Sequence, residues 1–389
     1  MDVKPGYKQT EVGVVPEDWT AIKLSAICSM KSGEGITSEN IDEFSPFPCY
    51  GGNGLRGYTS HYTHDGAHAL IGRQGALCGN VLGVEGKFFA SEHAVVVTAS
   101  AKTDIRWLTY ILSEMRLNQY SESSAQPGLS VSKIASLPVA LPPSRAEQEA
   151  IAEALSDADA YIESLEQLIA KKRLIKQGAM QELLESKDGW MEKKLANTAT
   201  LKARIGWQGL TTAEYLDSGD YFLVTGTEFR DGYIDWDSCH YVSESRHKQD
   251  KNIQLKKNDV LVTKDGTIGK VALVTQLEKP ATLNSGVFVI RPINNSFHPQ
   301  FFYYLLLSEV FTEFLNQLSA GSTINHLYQK DFVNFVYQTP KTIGEQETIA
   351  SVLRDMDEEI SLLEKKLSKA HQLKQGMIQE LLTGRIRLI

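Results

Sequence analysis

Residues 142–184 read PPSRAEQEAIAEALSDADAYIESLEQLIAKKRLIKQGAMQELL, and residues 340–382 read PKTIGEQETIASVLRDMDEEISLLEKKLSKAHQLKQGMIQELL. The two stretches align without a gap at a constant offset of 198 residues, and both end in KQG, two further residues and QELL. The pairs that are identical in both copies include Glu147/Glu345, Gln148/Gln346, Ile151/Ile349, Leu155/Leu353, Asp157/Asp355, Asp159/Asp357 and Ile162/Ile360. A gap-free match of this length indicates an internal duplication.

Apolar residues in both copies recur in alternating steps of four and three, which is the a/d seam of a coiled coil. The predicted seam consists of Ile151, Leu155, Ile162, Leu165, Ile169, Ile349, Leu353, Met356, Ile360, Leu363 and Leu367. Each copy begins at a proline, Pro143 or Pro340, and has a glutamate in its first turn. Helices of this length extend about 60 Å at 1.5 Å per residue. The alternative is two amphipathic helices that pack on separate globular cores.

The charges along both helices predict how they pair. Helix one changes from acidic residues near Asp157 and Glu163 to basic residues near Lys171 and Lys176, and helix two repeats this gradient. Parallel pairing would place like charges together, whereas antiparallel pairing places opposite charges together. We therefore expect an antiparallel pair related by an approximate two-fold axis.

The regions between the helices are fainter copies of each other. The segment WTAIKL at 19–24 resembles WMEKKL at 190–195, and LIGRQGALCGNV at 70–81 parallels LVTKDGTIGKVAL at 261–273. The sequence thus predicts an α+β fold, with two similar globular domains separated by an antiparallel two-helix coiled coil as a pseudo-two-fold internal repeat. The predicted boundaries are 1–142 and 188–339 for the domains, 143–187 for the first helix, and 340–389 for the second helix and tail.

Composition and charge restrict the class of protein. The net charge is −8, distributed as −3 over residues 1–143, −4 over 144–188, −1 over 189–340 and 0 over 341–389. No segment has the positive charge of a protein that holds DNA by electrostatics alone. The four scattered cysteines predict reduced thiols. Because no signal core or apolar membrane span is apparent, we expect a cytoplasmic protein without membrane contact.

The chain resembles the specificity subunit of type I restriction–modification enzymes. The resemblance rests on the opening GYKQTEVGVVPEDW at 6–19, two dissimilar domains, and the two EQxxIAxxL…KQGxxQELL helices, in this order along essentially the whole chain. It implies two target-recognition domains, each reading one half of a split double-stranded DNA site. It also implies that the paired helices set the spacing between the halves and dock two methyltransferase subunits, to which restriction subunits bind. S-adenosylmethionine, ATP and magnesium are then cofactors of those partners, and none is expected in this chain.

Motifs for catalysis are not recognisable in the sequence. The only Pro-Pro pair, Pro142-Pro143, is a helix entry rather than part of a methyltransferase motif, and the segment 266–271 (GTIGKV) fails the spacing and final hydroxyl of a phosphate-binding loop. His61, His64, Asp65 and His68 have helical metal-ligand spacing, but the HYTHDGAH segment is rich in turn residues, so we expect a polar loop and no metal. These observations predict a non-catalytic subunit.

Polar residues in glycine-containing loops are the candidate DNA contacts. Arginine and asparagine are the side chains that most often read guanine and adenine, and glycines let the backbone approach closely. In the first half the candidates are Tyr50, Asn53, Arg56, Tyr58, Arg73 and Gln74. In the second half they are Arg230, Arg246, His247, Lys248, Lys264, Asp265, Thr267, Ser322, Asn325 and His326. For each single residue a solvated loop side chain is an equally good interpretation.

Three other classes of protein compete with this interpretation. A structural coiled-coil adaptor explains the helices but not two elaborate domains. A restriction or methylation enzyme in its own right requires motifs that the sequence lacks. A stand-alone, repressor-like DNA-binding protein is expected to be more basic.

Overall fold

The computed structural model describes residues 4–75, 77–121, 128–206, 209–319 and 326–388. The chain folds as two compact units. Unit 1 comprises residues 1–167 and 365–389, and unit 2 comprises residues 168–364. Each unit therefore combines one globular domain with parts of both long helices.

Unit 1 is a mixture of short strands and helices. Its elements are β1 (Tyr7–Thr10), β2 (Gly13–Pro16), β3 (Thr20–Lys23), β4 (Cys28–Ser32), β5 (Phe47–Gly51), β6 (Gly54–Thr59), β7 (His64–Asp65), β8 (His68–Gly72), β9 (Val81–Val84), β10 (Lys87–Ala90), β11 (Ala94–Ala99), α1 (Ile105–Glu114), α2 (Val131–Ala135) and β12 (Pro138–Leu141). Two four-stranded sheets have the orders β4-β11-β8-β9 and β6-β5-β10-β7, and two-stranded sheets are formed by β1-β2 and β12-β3. In the sheet β6-β5-β10-β7, strands β5 and β10 are parallel.

Unit 2 repeats this plan with additions. Its elements are β13 (Met191–Lys194), α4 (Leu195–Thr198), β14 (Ala199–Lys202), β15 (Phe222–Val224), β16 (Phe229–Arg230), β17 (Tyr233–Ile234), β18 (His240–Tyr241), α5 (Glu244–Lys248), β19 (Val260–Thr263), β20 (Val271–Leu273), β21 (Ala281–Leu283), β22 (Val287–Pro292), α6 (Pro299–Leu307), α7 (Glu309–Leu318), α8 (Gln329–Phe332) and β23 (Val336–Thr339). The sheets have the orders β14-β22-β19-β20-β17-β16, β18-β15-β21 and β13-β23. The run β14-β22-β19-β20 matches β4-β11-β8-β9 of unit 1, and the hairpin β16–β17 extends it.

The two repeated segments are the long helices α3 (Arg145–Leu184) and α9 (Ile343–Leu381). In unit 1, Lys374 of α9 pairs with Asp159 of α3, and His371 lies 3.8 Å from Glu166. In unit 2, acidic residues early in α9 pair with basic residues late in α3: Asp357 with Lys176, Glu359 with Lys172 and Glu364 with Arg173. Within each unit the residue numbers rise along one helix as they fall along the other, so the helix segments are antiparallel, as the charge gradient predicts.

The seam residues have two kinds of environment. Ile162, Leu165, Ile169, Ile360 and Leu363 are buried, whereas Leu367 is half-buried. The seam residues near the start of each helix instead join a globular core: Ile151 and Leu155 in unit 1, Leu353 with the half-buried Ile349 and Met356 in unit 2. The last turns of the opposite helix, with Leu381 in unit 1 and Leu184 in unit 2, join the same cores. Helix pairing and packing on globular cores, which the sequence presents as alternatives, therefore occur in the same helices.

The largest core of each unit is formed by the helices together with the sheet β4-β11-β8-β9 in unit 1 or β14-β22-β19-β20-β17-β16 in unit 2. In unit 1 it includes Trp19, Val97, Trp107 and Leu112, all buried. In unit 2 aromatic residues dominate, with Phe301, Phe302, Tyr303, Tyr304, Phe311, Phe332, Phe335 and Tyr337. No helix in the part of the chain that the structure describes is long and apolar enough to cross a membrane.

Candidate nucleic-acid interface

Three connections between strands of unit 1 lie next to one another: the β5–β6 turn, the β8–β9 turn and the β10–β11 turn. A Cβ atom added at Gly72 would lie 2.2 Å from the carbonyl oxygen of Gly52, and one at Gly52 would lie 3.1 Å from that of His93. Only glycine permits such close approach of backbones. The backbone N–H of Arg73 also donates to the carbonyl of His93 at 2.9 Å. The three turns thus form one continuous surface.

Polar side chains that can form hydrogen bonds project from this surface. Asn53 and Gln74 are exposed, and Arg73 is half-buried, donating from Nη1 to the Ser32 hydroxyl at 3.1 Å. His93 Nδ1 lies 3.1 Å from Gln74 Oε1. A fourth segment reaches the same place, because the N–H of Leu129 donates to the carbonyl of Arg73 at 2.9 Å. The cluster of Asn53, Arg73, Gln74 and His93 is called the unit 1 loop cluster below.

Unit 2 is constructed in the same way. The N–H of Lys264 donates to the carbonyl of Gly286, and the N–H of Leu327 donates to the carbonyl of Lys264, both at 2.9 Å. These two bonds are the counterparts of those made by Arg73 in unit 1. A Cβ atom at Gly226, whose φ is +95°, would lie 2.6 Å from Thr263 Cγ2, so the β15–β16 connection again approaches the β19–β20 turn closely.

The predicted residues Lys264, Asp265, Thr267 and His326 lie together at this position. Asp265 and Thr267 are exposed, and Asp265 Oδ1 contacts His326 Nδ1. The His326 ring is 4.5 Å from that of Tyr328, and the Lys264 ammonium is 5.3 Å from the Phe288 ring. These four predicted residues are called the unit 2 loop cluster below. The sequence therefore predicted members of equivalent clusters in both halves.

Three predicted residues of unit 1 lie on strands instead of in the turns. Tyr50 is half-buried on β5 with its ring 5.9 Å from Phe88, and burial raises the pKa of its hydroxyl. Tyr58 on β6 is half-buried and exchanges backbone hydrogen bonds with Asp42. Arg56 is exposed on β6. Of these three, Arg56 has the most accessible side chain.

Four predicted residues of unit 2 lie on β16 and α5, and their side chains have partners or are buried. Arg230 donates from Nη1 to the carbonyl of Thr227 at 2.7 Å. Arg246 is paired with Glu214, and Lys248 with Glu244. His247 is buried against the Tyr221 ring, and burial lowers its pKa. The predicted Ser322 and Asn325 lie outside the described residues.

The sequence reasoning missed His93 and Ser32. Ser32 is the last residue of β4, and His93 belongs to the SEH segment that directly precedes β11. The available signal was that this segment connects two buried strands next to the glycine-rich turns. Its approach to Arg73, however, depends on the order of strands in the sheet.

The histidine-rich segment 61–68 forms a small aromatic cluster. His64 on β7 stacks on Phe88 with the ring centroids 5.3 Å apart, and His68 lies 5.6 Å from His64. Burial lowers the pKa of His64, with a further contribution from His68. Among the described residues no three His, Cys, Asp or Glu side chains are arranged to hold a metal ion.

Both loop clusters present hydrogen-bonding groups of mixed type on closely packed turns that contain glycine. Unit 1 has a guanidinium, two amides and an imidazole, and unit 2 has an ammonium, a carboxylate, a hydroxyl and an imidazole. Such groups recognise the donor and acceptor pattern of base edges, and cations among them also contact phosphates. The arrangement suits binding to a nucleic acid in each unit.

Comparison with known proteins assigns the chain to a family. The family model for the type I restriction modification DNA specificity domain matches residues 16–172 and 187–372. The type I restriction enzyme EcoprrI specificity subunit of Escherichia coli is 49% identical over 123 residues, which span only 31% of each chain. The type I restriction enzyme MjaVIII specificity subunit of Methanocaldococcus jannaschii is 23% identical over 96% of this chain and 94% of its own.

A solved structure has the same fold over the whole length. The S subunit of the type I restriction–modification system of M. genitalium superposes with a TM-score of 0.68 at 17% identity, covering 98% of both chains. The two-domain α+β architecture predicted from the duplication is thereby confirmed. The prediction of a specificity subunit, as opposed to a catalytic one, is also confirmed, because the matching relatives are named as specificity subunits. The chain belongs to the family of type I restriction–modification DNA specificity subunits.

Proposed function

We propose that each globular domain reads one half of a bipartite double-stranded DNA site through its loop cluster. The paired helices set the separation of the two halves and dock two methyltransferase subunits, and restriction subunits bind to that core. S-adenosylmethionine, ATP and magnesium serve the partner subunits. The observation that carries this proposal is the repetition of the loop cluster at equivalent turns of two units whose cluster side chains differ.

The charge distribution supports a need for partners. The chain has a net charge of −8, and charges of both signs on the helices are paired with each other. A protein of this charge releases few counterions from DNA, so most of the phosphate contact has to come from other subunits. We therefore expect the isolated chain to bind its site much more weakly than the complex with methyltransferase subunits at physiological salt.

Exchange of one domain tests the division between half-sites. Residues 1–142 are replaced by the corresponding domain of a relative with a different target, and the hybrid is expressed with its methyltransferase partner. We expect genome-wide mapping of methylated adenines to show one new half-site and one unchanged half-site. A change in both halves would contradict independent reading.

Single substitutions test the loop clusters. We expect Arg73→Ala and Lys264→Ala each to weaken binding of the complex by about tenfold or more, the effect of losing one well-placed base contact. The exposed Lys102 and Lys257 lie outside the clusters, and Lys102→Ala and Lys257→Ala are the matched controls. Relaxed specificity in only the half-site of the substituted unit supports direct reading. Equal loss on all sequences, with a reduced salt dependence, would instead assign the residue to phosphate contact.

A further inference from the structure

A tyrosine, an aspartate and a lysine join three helices in unit 1. Tyr110 of α1 donates its hydroxyl hydrogen bond to Asp159 Oδ2 of α3 at 2.7 Å. The second oxygen of Asp159 pairs with the ammonium group of Lys374 on α9. That ammonium group also lies 5.8 Å from the centre of the Tyr110 ring, within cation–π range. The triad thus connects the globular domain to both long helices.

Unit 2 contains the same triad. Tyr304 of α6 donates to Asp357 Oδ2 of α9 at 2.8 Å, Asp357 Oδ1 pairs with Lys176 of α3, and the lysine lies 5.7 Å from the tyrosine ring. The aspartates and the lysines are related by the repeat offset of 198 residues, but the two long helices exchange roles. In each unit the aspartate comes from the helix that follows its own domain, and the lysine from the other helix.

A second attachment holds the other end of the same short helix. Gln148 of α3 is buried, and its Oε1 accepts the backbone N–H of Asp104, the N-cap residue of α1, at 2.8 Å. Gln346 of α9 accepts the N–H of His298, the N-cap residue of α6, at the same distance. Each domain helix is therefore bound to its long helix at two points, by Gln148 and Asp159 or by Gln346 and Asp357.

The geometry restrains rotation of a domain on its helices. A single contact would let the domain helix rotate about that point, whereas two polar contacts along the same helix fix its direction. The triad has a further consequence, because its aspartate is shared between the domain and the opposite helix. A domain that rotates on the helices has to break a charge-assisted hydrogen bond, which is among the stronger polar contacts in proteins.

We propose that the two Tyr–Asp–Lys triads are positioning devices that make recognition strict for the separation of the half-sites. This inference rests on the proposed function, since it concerns the positions from which the two domains read DNA. The helices determine the preferred separation, and the triads determine how sharply other separations are rejected. The residues have no role in reading bases, because they lie on helices rather than in the loop clusters.

The test uses Tyr110→Phe, Tyr304→Phe and the double variant in complex with the methyltransferase partner. Methylation rates are measured on DNA fragments that carry the native half-sites at the native separation and at one base pair more or less. We expect the native separation to stay preferred, while the ratio of its rate to that of the neighbouring separations falls about tenfold in the double variant. Tyr337→Phe is the matched control, since it removes a buried hydroxyl bonded to Thr198 inside unit 2 and should leave the ratio unchanged.

Substitutions on the opposite helices provide an independent check. Lys374→Met with Lys176→Met should lower the same ratio, and Lys374→Arg with Lys176→Arg should preserve it, because arginine keeps the charge beside the aspartate. An unchanged ratio in the double tyrosine variant, with native methylation at the native separation, would overturn the proposal. Failure of the wild-type complex to methylate any bipartite site would instead contradict the proposed function itself.

Discussion

The start of the long helix differs between the two units although the sequence pattern is the same. In unit 2, Thr342 and Glu345 form a reciprocal capping box: the threonine Oγ1 accepts the Glu345 N–H at 3.2 Å, and the glutamate accepts the Thr342 N–H at 3.3 Å. In unit 1, Ser144 accepts the Glu147 N–H at 3.2 Å, but the glutamate carboxylate pairs with Arg387. The glutamate of this pattern thus completes the cap in unit 2 and forms a tertiary ion pair in unit 1.

The reason lies in how each unit closes, that is, in how the end of a long helix connects to the first strands of the domain. In unit 2 the peptide chain leads directly from α3 through Gly189 into β13. In unit 1 the segment after α9 meets the segment before β3 without a covalent link. Arg387 Nη1 donates to Asp18 at 3.0 Å, and the Tyr7 hydroxyl donates to the carbonyl of Arg385 at 3.2 Å. Non-covalent contacts in unit 1 therefore take the place of a peptide connection in unit 2.

A second difference is the hairpin β16–β17 of unit 2. Its tip residues Asp231 and Gly232 have φ of +49° and +83°, as expected for a two-residue hairpin turn. The hairpin lines a groove of about 1080 Å³ together with parts of α3, α6, α7 and α9. Tyr303 of α6 packs against Gly232, whereas Thr109 occupies the position of Tyr303 in unit 1. The units share the tyrosine–aspartate and glutamine contacts between domain and long helix, but they differ at the start of that helix and at one edge of the larger sheet.

The largest effect is expected from removing the closing contact of unit 1. Arg387→Gln leaves Glu147, of which 1% is exposed, as a nearly buried carboxylate without its cation. We expect a loss of about 2–3 kcal/mol in the stability of unit 1, because an uncompensated buried charge is costly. Hydrogen exchange of the full chain should speed up at 7–23 and at 145–155 and stay unchanged in unit 2.

Two controls accompany this substitution. Adding Glu147→Gln to Arg387→Gln should recover most of the loss, since the buried charge disappears. The hydrogen bond from Arg387 lowers the pKa of the Asp18 carboxyl group. The stabilisation that this pair provides is therefore present above the ordinary carboxyl pKa, and it is lost as the pH falls through the lowered pKa. Arg387→Gln should therefore flatten the acid limb of the stability curve. Equal exchange in both units would show that the contact does not close unit 1.

An intermediate effect is expected at the hairpin of unit 2. A Cβ atom at Gly232 would lie 2.0 Å from the Tyr303 hydroxyl oxygen, and its φ of +83° strains any other residue. We expect Gly232→Ala to lower the stability of unit 2 by about 2 kcal/mol, measured by chemical denaturation with exchange readout at α6.

The matched control for this variant is Gly83→Ala in unit 1. A Cβ atom there would meet Thr109 Cγ2 at 3.6 Å, an ordinary van der Waals distance. Its cost should stay within about 0.5 kcal/mol. Similar losses in both variants would mean that Tyr303 moves aside and that the hairpin is not held by this contact.

The smallest effect is expected at the two helix caps. Thr342→Ala removes the cap and the partner of Glu345, and we expect a cost of about 1 kcal/mol. Ser144→Ala removes a single hydrogen bond and should cost about 0.5 kcal/mol. Exchange rates at the first turns of α9 and α3 measure both. A larger loss for Ser144→Ala than for Thr342→Ala would contradict the expectation that the reciprocal capping box of α9 stabilises its helix more than the single hydrogen bond at the start of α3.

Much of the fold was predictable because its signals are local. The heptad spacing and the charge gradient predicted two antiparallel helices, and both depend only on residues within a few turns of each other. The glycine-containing turn at 72–75 and its counterpart at 263–266 identified the β8–β9 and β19–β20 hairpins. Side-chain environments were less predictable. Arg246 and His247 occur in a polar segment, yet one is paired with Glu214 and the other is buried.

The sequence by itself determined that this protein is a duplication of a domain and a long helix, because a repeat with a constant offset is visible without any coordinates. It also determined the polarity of helix pairing, through charges that recur in the same order. Only the tertiary structure decided which matched residues act together. Asp159 and Asp357 stand in the sequence as two of several matched acids, but the fold brings each to a tyrosine of its domain and a lysine of the other helix. The partners of each aspartate are dozens to hundreds of residues away, and contacts over such separations are set by packing of the helices rather than by local sequence.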